Sequence, residues 1–129
     1  MKNLSLRPSV SDFLFRFGIA SFFLLNSLSA WLEPDEFLEL LEKNPLASAI
    51  AAPHFWVNII GINDGLVFLL ILSGRWRKGV AIWAALWMLM VFYVTIPNGL
   101  FDLIEHAGII SLIIYYYFAF PQPSPEPQK

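Results

Sequence analysis

Asp64 stands in the stretch G-I-N-D-G, Gly61 to Gly65, inside a long apolar run from Phe55 to Leu72. A carboxyl in such a run must hold a proton, meet a cation or face a wet cavity. Ionised and alone at mid-bilayer it costs at least about 2.5–3.5 kcal/mol. Arg16 is the one basic residue inside another apolar run. It is therefore the candidate partner for a buried polar pair, Arg16 with Asp64, directly or through water. The competing reading has Arg16 reaching back to the headgroups. Gly61 and Gly65 form G-x-x-x-G, a spacing that lets a second helix approach closely.

A second set of polar residues falls near the opposite ends of the runs: Asn26, Asn58, Thr95, Asp102, Glu105 and His106, with Asn98 in a connection. Asp102 and His106 are four apart, so they share a helix face and the acid could orient the imidazole. One reading is an outward-facing site for protons or a quinone headgroup. The other is acid capping of a helix start, with His106 at the interface. A metal centre has little support, because Asp-x-x-Glu-His is not a diagnostic ligand spacing. Phosphate loops, nucleophile elbows and H-E-x-x-H are all missing.

These residues require helices that cross a membrane. The 129 residues are 57% hydrophobic and 14% charged, with mean hydropathy +0.62. A soluble domain is typically about a quarter charged. Four apolar runs, Phe13 to Leu32, Phe55 to Leu72, Val80 to Ile96 and Leu103 to Phe120, each approach the length needed to cross a hydrocarbon core. They are continuous, which excludes the alternation of a bilayer barrel. The fold class expected is all-α, an integral-membrane four-helix bundle over residues 1–120. A short amphipathic helix around Pro34 to Lys43 lies on the membrane surface or over the bundle mouth. Residues 121–129, with proline at every other position, read as a disordered cytoplasmic tail.

Seven of the eight basic residues fall on one side of a four-pass chain: Lys2, Arg7, Arg16, Arg75, Arg77, Lys78 and Lys129, against Lys43. The positive-inside rule then places both termini in the cytoplasm, in a multi-pass inner-membrane protein. Net charge is −2 and the basic residues form no stripe, which argues against nucleic acid. The chain contains no cysteine, so it has neither disulfides nor thiol redox chemistry of its own.

Three stretches carry a family resemblance. The first is F-L-F-R-F-G-I-A-S-F-F-L-L-N-S-L-S-A-W-L-E-P. The second is G-I-N-D-G-L-V-F-L-L-I-L-S-G-R-W-R-K-G. The third is D-L-I-E-H-A-G-I-I-S-L-I-I-Y-Y-Y. Over roughly residues 10 to 120 the chain resembles the DoxX-like family of small four-helix membrane proteins. Members usually carry Glu where this chain has Asp64, and often Gly and Lys where it has Asn26 and Trp31. The resemblance implies an accessory subunit of a quinone-linked membrane redox system, at most a subunit of a membrane oxidoreductase. Quinone would be the cofactor, and a redox protein the partner beside the bilayer itself. A homo-oligomer is left open. Two rival functions remain, a non-catalytic assembly or stability factor and a small proton-coupled exporter.

Overall fold

The computed structural model describes residues 8–95 and 99–119, all placed in helices or the links between them. The helices are α1 (Pro8–Leu32), α2 (Pro34–Lys43), α3 (Pro45–Ile50), α4 (Pro53–Ser73), α5 (Arg77–Thr95) and α6 (Leu100–Ala119). Pro34, Pro45 and Pro53 each stand in a first turn. There the missing N–H is no loss and the fixed φ suits the helix. The proline-rich tail at 121–129, Asn98, Lys2 and Arg7 lie outside the described residues.

α1, α4, α5 and α6 are long and apolar enough to span a membrane. At 1.5 Å per residue, their 19–25 residues reach about 28–38 Å. α1 packs most extensively on α4, and α5 on α6. Ile19, Phe23, Val67, Ile71, Met88 and Tyr116 fill the core between them. Large apolar side chains also cover the outside, including Leu25, Leu66, Leu69, Leu86, Phe101 and Phe118. A surface of that kind is stable only with lipid as its solvent. The chain is an all-α four-helix membrane bundle.

The start of α1, the α4–α5 link and the end of α6 share one end of the bundle. Among the described residues it holds Arg16, Arg75, Arg77 and Lys78 against Asp12, and is called the basic end below. The other end carries the acids of α2 and Asp102 and Glu105 of α6.

The amphipathic helix expected around Pro34 to Lys43 is α2, and a second short helix, α3, follows it. Asn44 is extended (φ −94°, ψ 110°), as a residue before proline should be. Its side chain accepts from the N–H groups of Leu46 and Ala47 at 3.1 and 3.0 Å, capping α3. α2 buries Leu41, with Phe37 and Leu38 partly buried, against Ala30, Ala47 and Val57. The Trp56 indole N–H donates to the Ala47 carbonyl at 2.9 Å and ties α3 to α4. The pair forms a roof over one end of the bundle. Its charged face points outward, where Lys43 donates to Glu39 at 2.6 Å. That hydrogen bond holds the Glu39 carboxyl below its ordinary range.

Candidate functional site: a cavity at the acidic end

A cavity of about 330 Å³ lies beneath the α2–α3 roof. Asn26 of α1, Asp64 of α4, Thr95 of α5, and Asp102, Glu105 and His106 of α6 all line it. Thus five of the six polar residues expected at the helix ends converge, and Asp64 joins them. The sixth, Asn58, is exposed and lies outside the lining. The roof adds Glu36 and Asn44, and Phe22, Phe37, Trp56 and Ile60 form much of the apolar wall. Exposed Glu36, Ile50 and Glu105 mark the rim, so the cavity is open at the acidic end.

Asp64 lies near the middle of α4, about 17 Å from its start at 1.5 Å per residue. It is 1% exposed. Asn63 donates to its Oδ1 at 3.1 Å, and the Asn63 oxygen accepts from the Trp83 indole at 2.9 Å. The side chains of Trp87 and Asn26 approach the same carboxyl. The Trp87 indole N–H is buried, with no partner in hydrogen-bond geometry.

Arg16 is not the partner of Asp64. Its Nε donates to Asp12 at 3.1 Å, and its Nη1 donates to the Leu72 carbonyl. Leu72 is eight residues from Asp64, or about 12 Å along α4. The reason is the end of α4. The last four carbonyls of a helix have no partner within it and carry the negative end of its dipole. Here the Ser73 hydroxyl serves Leu70 at 2.8 Å and the Gly74 N–H serves Ile71 at 3.1 Å. The Arg16 guanidinium serves Leu72. Gly74 is left-handed (φ +68°), and a Cβ there would stand 2.7 Å from Arg16 Nη1. Glycine therefore supplies both the turn and the room for the guanidinium. Asp12 also accepts from Arg77 at 2.9 Å, and Arg77 lies 5.2 Å from the Tyr116 ring centroid. One acid and two guanidiniums thereby join α1, α4, α5 and α6 at the basic end. Asp12, four residues before Arg16, was the legible signal for this arrangement.

His106 Nδ1 lies 2.7 Å from the backbone oxygen of Asp102, so its contact is with the carbonyl rather than the carboxylate. A carbonyl only accepts, so in this contact Nδ1 is the donor. The ring stands edge-on to Phe22 at 6.2 Å.

Gly61 and Gly65 lie where α1 crosses α4. A Cβ on Gly61 would stand 2.6 Å from Cε2 of Trp31, and one on Gly65 3.1 Å from the Ser27 hydroxyl. That hydroxyl donates to the Gly61 carbonyl at 2.7 Å. Gly61→Val is expected to destabilise the bundle by about 1–3 kcal/mol through overpacking. Trp31→Ala should restore much of that loss in the double variant. Unfolding in mixed detergent micelles measures both, and strictly additive losses would place the clash elsewhere.

Among the described residues, no three His, Asp or Glu side chains are grouped to hold a metal ion. Among the described residues, no Lys or Arg lines the cavity. Comparison with protein-family models, curated proteins and solved structures finds no match. What the geometry offers is an apolar chamber with carboxyls at its rim and one at its floor.

Proposed function

We propose that the protein binds a small amphipathic molecule in this cavity and couples binding to protonation of Asp64, as a small proton-coupled exporter does. The observation that carries the reading is the position of Asp64. It is a buried carboxyl near mid-span, with no cationic partner among the described residues, on the wall of a cavity open at one end. Such a group is held in a membrane helix at a stability cost, which marks intramembrane acids as functional. Asn26, Asn63 and Trp87 approach the Asp64 carboxyl, and the titratable groups sharing its cavity among the described residues are Glu36, Tyr93, Asp102, Glu105 and His106. Lys43 is the one basic residue assigned to the acidic side, so the positive-inside rule makes that side external and both termini cytoplasmic. The membrane in this reading is the cytoplasmic one.

A second reading is the quinone-linked accessory subunit suggested by the DoxX-like resemblance. The aromatic wall of Phe22, Phe37, Trp56 and Tyr93 favours it, since such faces stack on a quinone ring. Reduction to quinol consumes two protons, which Asp64 on the cavity wall would relay. The two electrons would come from a partner redox protein.

The test is a panel of benzyl alcohol, benzyltrimethylammonium and a short-chain benzoquinone, applied to protein labelled with ¹⁵N-tryptophan in nanodiscs. At least one should shift the Trp56 indole signal, and not in an Ile60→Trp variant that fills the cavity. In weak buffer, binding should exchange a proton in wild type but not in Asp64→Asn. A response to none of the three overturns the proposal, and a response to the quinone alone selects the second reading.

A further inference from the structure

We infer that the ligand of this cavity is an amphipathic organic monocation, such as a tertiary or quaternary amine on an apolar body. The inference rests on the reading that the cavity takes a small amphipathic molecule, and it supplies the chemical class. Charge comes first. Among the described residues, four carboxyl groups line the cavity, from Glu36, Asp64, Asp102 and Glu105, and no Lys or Arg accompanies them. A mobile anion meets only repulsion there. A cation gains in energy from rim to floor, because Coulomb attraction strengthens as water is excluded.

Depth distinguishes the four. Glu36 and Glu105 are exposed at the rim, Asp102 is half-buried, and Asp64 is 1% exposed. The rim acids steer, and the floor acid binds. Asp64 belongs to no ion pair among the described residues, although half-buried Asp12 at the basic end is paired with two guanidiniums. A single floor carboxylate matches a single positive charge.

The walls exclude the other cations. A metal ion needs several oxygen or nitrogen ligands together, and no such group exists among the described residues. Phe22, Phe37, Trp56 and Tyr93 instead line the chamber with aromatic surface. Aromatic faces attract alkylammonium groups and pack against an apolar body, and they offer nothing to a hydrated inorganic ion. The exchange balances in charge: the protonated Asp64 carboxyl gives up one proton and the resulting carboxylate pairs with one cation.

Two ligands of the same shape test this, benzyltrimethylammonium and its carbon isostere neopentylbenzene. Each is titrated against the full chain in nanodiscs of zwitterionic lipid, with the Trp56 indole signal as readout. The cation should bind at least ten-fold more tightly than the isostere, and Asp64→Asn should remove that preference while leaving the isostere's affinity unchanged. Glu105→Gln should slow association and leave most of the preference in place. Equal affinities in wild type overturn the inference and leave the cavity reading standing. A preference that survives Asp64→Asn overturns the assignment of the floor carboxylate. A signal unmoved by either molecule overturns the inference, and the cavity reading falls with it only when benzyl alcohol and the benzoquinone leave the signal unmoved as well.

Discussion

Replacing Arg16 by leucine is expected to cost the bundle roughly 2–4 kcal/mol of unfolding stability. The guanidinium fills the open carbonyl of Leu72 and neutralises Asp12. Its side chain is only 15% exposed, so water replaces little of what is lost. The cost stays at the lower end of that range because Asp12 keeps Arg77 at 2.9 Å. Arg16→Lys should fall between, since an ammonium carries the charge but cannot serve two acceptors with one planar fork. Double-mutant cycles in detergent separate the partners. Coupling between Arg16 and Asp12 should exceed about 1 kcal/mol, and coupling between Arg16 and Asp64 should stay below about 0.5 kcal/mol. The reverse order would restore the pair that placement along the helices first suggested.

Asp64→Asn should move stability in the opposite direction. The substitution keeps the shape and much of the hydrogen bonding, and removes a carboxyl that no cation answers. At a pH that ionises Asp64, a gain of about 1–2 kcal/mol is expected, smaller than the cost of a lone buried charge because Asn63 already donates to it. Groups retained for function are often suboptimal for the fold. A stability loss comparable to that of Arg16→Leu would make Asp64 a structural residue and remove the main reason for assigning it a ligand.

The four spans were legible because lipid imposes a length on apolar runs, and Pro53, Gly74 and Gly99 punctuate them. The polar convergence of Asn26, Thr95, Asp102, Glu105 and His106 was legible too, since the up-and-down order of the spans fixes which ends meet. Arg16 was misassigned because depth along a helix says nothing of which open backbone group lies opposite. The end of α4 decided its place, and Asp12 one turn away was the overlooked cue. The cavity was not legible. It arises from how α2 and α3 fold over the bundle, and Glu36 in isolation reads as part of a solvated face. The helix over Pro34–Lys43 was legible from Pro34 and its two faces, whereas the six residues of α3 are too few to show a helical period.

Accessibility of the cavity can be measured directly, because the chain contains no cysteine and any introduced thiol is alone. Asn26 lines the cavity, approaches Asp64, and its replacement leaves every acid in place. The Asn26→Cys variant in sealed vesicles is treated with two small impermeant methanethiosulfonates, one bearing trimethylammonium and one bearing sulfonate. Expected is modification only from the acidic end, at least ten-fold faster with the cationic reagent, with the difference reduced but not abolished on adding Asp64→Asn, because the rim acids remain. Modification at equal rates by both reagents, or only from the basic end, contradicts an acid-floored cavity open at the acidic end of this bundle.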